Sequence, residues 1–282
     1  MTLILGMSKA EGVYLSADYR VTDLRTNEVL DDASIKFLTV HHPPDQGGPK
    51  SLIAYSGLAQ LPDGTPIGAW IRETLRGAVE HFDDSMAHLR TRLDRDLGRF
   101  RSPLFVNVLV VHGDRRYAGG FSNMKRERPG AAYRVVSRFG YQLDELKDPF
   151  LFANGSGAAV IAREHLGILH EQLARRPRQP SDHMKLLATI NRRVASRDSS
   201  VSPHCHVSYL NADDRTKPAS RAFTQPGESV PFSMPILIMG VDLSPMMQRF
   251  HEWTTVVFDQ SLPESERQFA AEENDLYPPR RK

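Results

Sequence analysis

The chain opens on short apolar runs with the two-residue period of strands. From Gly12 to Asp18 the alternation is regular: Val13, Leu15 and Ala17 fall on one face, Tyr14, Ser16 and Asp18 on the other. This pattern predicts a sheet buried on one side and lining a site with its polar side. Leu3 to Met7 is a similar short run. Ile35 to Val40 and Ser51 to Tyr55 predict two further strands, separated by a breaker-rich loop from His41 to Pro49. The period then changes. Thr65-Pro66 supplies a capping residue and a first-turn Pro. After it Ile67, Ile71, Leu75, Val79, Phe82, Met86, Leu89, Leu93 and Leu97 recur every three or four positions. They predict one long helix, or two joined near Asp83-Asp84.

Strand character returns in the near-continuous apolar run Leu104 to His112. A turn at Gly113-Asp114 follows, then strands at Tyr117 to Phe121, Tyr133 to Val136 and Phe150 to Ala153. Asn154-Gly155-Ser156-Gly157 reads as a turn into a helix running to about Ala174. Arg175 to Pro180 is a basic, Pro-rich break. Ser181 or Asp182 caps the next helix, whose stripe is Met184, Leu187, Ile190 and Val194. Strands at His206 to Leu210 and Pro235 to Val241 and a helix after Ser244-Pro245 complete the pattern. Strands and helices segregate into blocks, which argues an α+β fold rather than alternating βαβ units. With no repeat and no linker, residues 1–282 read as one domain. A C-terminal extension begins at about 244, and its charged end frays from about 260.

Composition narrows the partners. Thirty-six basic residues against 34 acidic give a net charge of +2, with no general electrostatic case for nucleic acid. No run approaches the roughly 20 apolar residues that span a bilayer, and no signal peptide is evident. Cys205 is the only cysteine, which excludes an intrachain disulfide framework and suits a reducing, cytoplasmic setting. His204-Cys205-His206 is the most metal-like cluster, but a zinc site needs three or four converging ligands. Ordinary strand packing is the preferred reading, with no metal and no cofactor. Neither a GxGxxG nor a GKS/GKT phosphate-binding motif occurs.

The candidate chemistry sits at the start. Thr2 follows Met1, which an aminopeptidase can trim before so small a residue. Trimming would leave a hydroxyl beside a free α-amine, a nucleophile and its base on one residue. Asp18 lies sixteen residues after Thr2, and Arg20 follows it. Lys36 stands between Ile35 and Phe37, and Ser56-Gly57-Leu58-Ala59 forms a small-residue turn.

This order resembles the proteasome β-subunit family of N-terminal-nucleophile hydrolases, in the manner of bacterial proteasome homologues. Lys36 falls about two residues later than the family's lysine, a difference the Thr22 to Ala33 hairpin absorbs. The resemblance implies a four-layer αββα sandwich and a threonine peptidase. Thr2 would attack the amide carbonyl, with its own amine as base. Lys36, held by Asp18, would favour the deprotonated hydroxyl, and the Gly57 N–H would stabilise the oxyanion. Arg20 would support the region. Val21, Ser34, Tyr55 and Ala59 would surround a shallow first specificity pocket.

Ser156 in Gly155-Ser156-Gly157 would bond the terminal amine, and Asp198 would be a later acidic support. The family places a serine three residues after that acid. Here that position is Val201, with Ser199, Ser200 and Ser202 nearby, and the choice among them stays open. The same resemblance implies a peptide or protein substrate and a homo-oligomeric ring, with part of the Ile67 to Leu97 stripe facing a neighbouring subunit. An ATPase partner is left open. Two alternatives stand beside the peptidase: an amidase of the same superfamily acting on a small molecule, and a catalytically silent ring-forming or binding subunit.

Overall fold

Two sheets organise the chain. The computed structural model describes residues 2–249, apart from 24, 25, 27, 44–47, 78–80, 128–131, 148, 149, 166, 168–170, 172–178, 213–216, 226, 227, 229 and 231–233. The first strands are β1 (Leu3–Lys9), β2 (Gly12–Asp18), β3 (Val21–Thr22), β4 (Val29–Asp31), β5 (Phe37–His41), β6 (Lys50–Gly57) and β7 (Leu104–His112). They are followed by β8 (Arg115–Lys125), β9 (Arg134–Glu145), β10 (Phe150–Gly155), β11 (Cys205–Asn211), β12 (Ala219–Phe223), β13 (Ile236–Ile238) and β14 (Val241–Asp242). A five-stranded sheet runs β10-β1-β2-β11-β12, a seven-stranded sheet runs β14-β13-β5-β6-β7-β8-β9, and β3 pairs with β4. The helices are α1 (Ile67–Leu75), α2 (Phe82–Arg92), α3 (Ala158–Val160) and α4 (Pro180–Ala195). The fold class is mixed α+β, with several sheets and few helices.

Strands β1, β2, β5, β6 and β11 are buried on both faces, which explains their composition. In β2, Val13, Leu15 and Ala17 join Leu52, Ala54, Leu109 and Val111 of the larger sheet in one core. Its opposite face carries Tyr14, which packs with Leu187 and Ile190 of α4. The polar face expected of β2 is therefore covered, and every residue of the strand is buried. The run in β7 is nearly continuous for the same reason. Leu109 and Val111 turn to the core shared with β2, while Val106, Val108 and Val110 turn to α1 and α2.

The long apolar stripe belongs to two helices, but they part before Asp83-Asp84. Helix α1 ends at Arg76, whose ψ of 128 leaves the helical region, and Gly77 takes a positive φ of 68. Helix α2 starts after His81, with Asp83 and Asp84 in its first turn, where acidic groups complement the helix dipole. A π-helical stretch, Leu93–Leu97, continues it. Ile67, Ile71, Leu75, Met86, Leu89, Leu93 and Leu97 are all at most 2% exposed within the single chain. The expectation that part of this stripe faces a neighbour is thus corrected: the seven-stranded sheet covers those residues itself. Thr65 makes no cap, as the N-cap position is Pro66. The cap of α4 is Gln179, in a reciprocal box with Asp182, rather than Ser181 or Asp182.

Residues 244–249 are helical. Val79, most of residues 166–174 of the helix expected to reach Ala174, Arg175 to Arg178 and the tail from 260 lie outside the described residues. Among the described residues no helix is long and apolar enough to cross a membrane.

The core between β2 and β7 is expected to dominate stability. Truncating Leu109 to Ala should cost about 2–5 kcal/mol through lost burial and the cavity left behind. Urea denaturation monitored by circular dichroism measures that loss directly.

Candidate active site

Thr2 precedes β1, Asp18 ends β2 and Lys36 immediately precedes β5. The antiparallel pairing of β1 with β2, Ile4 opposite Ala17, carries Thr2 and Asp18 to the same end of the sheet. The three side chains meet there at 1–3% exposure. Lys36 Nζ donates to Thr2 Oγ1 at 2.6 Å and to Asp18 Oδ1 at 2.9 Å. Its third partner is the Arg20 carbonyl oxygen, so all three ammonium donors are used. The Thr2 hydroxyl donates in turn to Asp18 Oδ1.

Asp18 collects more than these. Its Oδ1 also accepts the Leu3 N–H at 2.9 Å. Its Oδ2 accepts the N–H groups of Arg20 at 3.2 Å and Ser202 at 2.9 Å. Burial pushes the Lys36 pKa below its ordinary value, and the Asp18 carboxylate opposes that shift.

Around this centre the structure assembles two further groups. Arg20 forms a two-pronged pair with Asp32, Nη2 to Oδ2 at 2.6 Å and Nε to Oδ1 at 3.2 Å, and donates to the Ser199 carbonyl at 2.8 Å. Ser156 donates to the Thr2 carbonyl oxygen at 3.3 Å, not to the Thr2 nitrogen as the resemblance implied. Gly155, at φ 91, turns the chain beneath that carbonyl. A Cβ there would lie 2.0 Å from the Thr2 oxygen, so only glycine permits the approach. Ser156 Oγ also lies 2.8 Å from Ser200 Oγ, which donates to Asp198 Oδ1 at 2.5 Å. The open choice of serine thus divides by atom. Ser200 supplies a hydroxyl, Ser202 a backbone N–H and Ser199 a carbonyl, while Val201 packs in the apolar core under α4.

The remaining candidates lie at varying removes. Gly57 ends β6 at φ 102, where a Cβ would meet the Pro103 oxygen at 2.1 Å. Val21 is buried in β3, and Ser34 donates its hydroxyl to Asp31. Ala59 is half-buried, and its carbonyl accepts the first N–H of α1, from Ile67, at 2.9 Å. Tyr55 turns to the core beneath α1, close to Gly68. Burial pushes its pKa up to about 12.

Asp32 escaped the sequence reading, and Ser200 was named there without being chosen. The visible signal for Asp32 was the acidic pair Asp31-Asp32 in the hairpin facing Arg20. Ser200 was one of three unranked serines.

The His204-Cys205-His206 side chains do not converge. Cys205 is buried beneath α4, which pushes its thiol up to about 12. His204 pairs with Glu228 at 2.7 Å. His206 lies between Tyr19 OH at 3.2 Å and Ser220 Oγ at 2.6 Å, and burial lowers its pKa to about 3.

These features define an α+β fold with a buried Thr-Asp-Lys cluster at one end of its smaller sheet. No family model matches the sequence, and no curated protein matches it. Solved structures do match in fold. Anbu (ancestral beta-subunit) from Yersinia bercovieri superposes with a TM-score of 0.51 at 11% identity, over 92% of this chain and 96% of that one. The helical assembly of the Anbu complex from Pseudomonas aeruginosa gives 0.53 at 12% identity, over 91% and 94%. These neighbours correct the resemblance drawn above. They are Anbu proteins, a family distinct from the proteasome β-subunits, and no family model or curated protein supports the N-terminal-nucleophile assignment. At such identity the likeness is one of fold alone.

Two outcomes follow from the electrostatics. Asp18→Ala strands a buried ammonium and should cost about 3–5 kcal/mol. Lys36→Met leaves the carboxylate its four other donors and should cost less, about 1–3 kcal/mol. Paired urea titrations at neutral pH test the order. His206 gives the pH dependence. An unfolded chain takes up a proton near pH 6.5 that the folded imidazole refuses until about 3. Stability should therefore fall as pH drops through that window, and His206→Asn should flatten the slope.

Proposed function

We propose that this protein is a threonine-dependent amide hydrolase, acting on peptide bonds once Met1 has been removed. The observation that carries the reading is Lys36 Nζ at 2.6 Å from Thr2 Oγ1, with both groups held on Asp18. A buried ammonium against a hydroxyl favours its alkoxide form and opposes protonation of a neighbouring amine.

The reaction balances on one residue. The Thr2 hydroxyl proton passes to the Thr2 α-amine, whose ordinary pKa of about 7.7–8.0 suits a base near neutrality. The oxygen bonds to the amide carbonyl carbon, the C–N bond breaks, and the proton leaves with the departing amine. An ester on Thr2 remains. Water, deprotonated by the same amine, attacks that ester, the acid departs and the hydroxyl is restored.

In this reading the Gly57 N–H serves the oxyanion. Val21, Ser34 and Ala59 surround the substrate side chain, with Tyr55 as the floor. Ser156, Ser200 and Asp198 hold the Thr2 backbone, and the Arg20–Asp32 pair fixes the loop whose carbonyl Lys36 uses.

We read the three cores as helix, sheet, sheet, helix: a four-layer arrangement in a single domain, supported by α1 and α2 outside the larger sheet and α4 outside the smaller. We also infer a homo-oligomeric ring. The Anbu complex from Pseudomonas aeruginosa is described as a helical assembly, which supports oligomer formation by this fold. Because Ile67, Ile71, Leu75, Met86, Leu89, Leu93 and Leu97 of the α1–α2 stripe are covered internally, subunit contacts would use other surfaces.

N-terminal mass of active protein purified from its own host should show Thr2 first. Thr2→Ala should abolish amide hydrolysis with the fold intact, Thr2→Ser should retain part of it, and Lys36→Ala should lose on the order of 10³-fold or more. Full activity with Met1 retained, or in Thr2→Ala, would remove the proposed nucleophile.

A further inference from the structure

The smaller sheet ends at β10, while the larger one runs on through β8 to β9. Between them lies an open cleft of about 580 Å³. Its roof is β10. Phe150 and Phe152 turn inward to the core shared by the sheets, while Leu151 and Ala153 pack beneath α4. Its floor is the inner face of the larger sheet. Tyr141 and Leu143 of β9 pack on the opposite side, toward α1 and α2, which leaves Gly140 and Gln142 to the cleft.

The cleft leads toward Thr2. In the β1–β10 register Asn154 stands opposite Ile4 and Gly155 opposite Leu3, so the roof ends beside the residue that follows Thr2. On the floor, Phe105 is one residue from Leu104, the partner of Gly57. Asn154 Nδ2 donates to Asn107 Oδ1 at 3.1 Å and ties roof to floor. That bond forms the inner wall, so an occupant lies along the outer edge of β10.

The edge itself defines the occupant. Alternate residues of an edge strand turn N–H and C=O groups away from the sheet, and β10 has no neighbour on that side among the described residues. An extended peptide satisfies such groups by adding a strand, with every second side chain entering the cleft. The one charged side chain among the lining residues is Asp144, which suits a neutral or basic peptide. Topology gives the direction. The strand that carries Thr2 has β10 on one side and β2 on the other. Val21 and Ser34, assigned above to the acyl side chain, lie on the β2 side, where the Ser34 N–H donates to the Tyr19 carbonyl at 3.2 Å. The β10 side is left for the part of the substrate beyond the scissile bond.

We propose, resting on the reading of Thr2 as nucleophile, that this cleft holds the leaving-group side of an extended polypeptide as a strand along β10. The test uses the full chain and two quenched fluorogenic peptides with the same acyl half, acetyl-Ala-Ala-Leu. One ends a single residue after the scissile bond. The other carries the amidated tail Ser-Val-Ser-Val-Ser-Val, matching the six residues of β10. The long peptide should show a kcat/KM at least about tenfold higher, because binding remote from the reacting bond is used in the transition state. A Cβ at Gly140 would meet only the Ser122 oxygen, at 3.8 Å, so a side chain there enters the cleft. Gly140→Trp should therefore erase the length preference while the short peptide is cleaved as before. Gln142→Trp fills the same space and serves if Gly140→Trp does not fold. The Thr2→Ala protein should bind the dye-labelled tail alone in fluorescence anisotropy, and adding Gly140→Trp should weaken that binding at least about tenfold. Equal kcat/KM for the two peptides, no tail binding up to about 1 mM, or a preference that survives both cleft variants would overturn the proposal with Thr2 still in place as nucleophile. Tail binding without hydrolysis of either peptide would overturn the reading of Thr2 instead, and with it the leaving-group assignment.

Discussion

One buried carboxylate holds the candidate site together. Asp18 accepts five hydrogen bonds: from the Thr2 hydroxyl, the Leu3 and Arg20 backbones, the Lys36 ammonium and the Ser202 backbone. Those donors come from the start of β1, the end of β2, the approach to β5 and the loop after α4. A carboxylate at 1% exposure tolerates burial only when such partners surround it. The same requirement positions Lys36, whose ion pair at 2.9 Å is with Asp18. Desolvation pulls the lysine toward its neutral form, and Asp18 resists. The geometry of Thr2 is therefore a by-product of satisfying two buried charges.

Much of this was legible in the chain, for identifiable reasons. Alternation in Gly12 to Asp18 marked β2, and it was the family resemblance, not any periodicity, that singled out Thr2, Asp18 and Lys36, residues the fold brings into contact. What alternation could not report was a second buried face, because Tyr14 and Ser16 read as polar yet pack inside. The length of the apolar stripe was visible, but not that the larger sheet would cover seven of its described members. Strand β12 was missed because Ser220 and Arg221 interrupt its pattern. It is an edge strand, whose outer residues need not be apolar. Asp32, Ser199, Ser200 and Ser202 act from loops, where no periodicity constrains the sequence.

Fold and chemistry carry separate weight here. The likeness to Anbu proteins extends over nearly the whole chain, at an identity too low to transfer any residue's role. One architecture hosts many reactions, so the case for hydrolysis rests on the atoms around Thr2. There an ammonium and a carboxylate meet on one hydroxyl, and a glycine lets the chain pass directly beneath the same residue. At the far end of β5, His42 poses a contrasting problem. It is a polar group buried without a protein partner among the described residues, where Asp18 is buried with five.

The pairing of β2 with β11 sets Asp18 against Cys205. A ribosome releases residues at about 5–20 per second, so roughly 200 residues separate the two partners by some tens of seconds. Until β11 emerges, Asp18 lacks the Ser202 donor and the strand that covers its flank. Asp18 can meet its charge partner, Lys36, early, but the first-made segment of the polypeptide waits for one of the last before the carboxylate has its full set of donors.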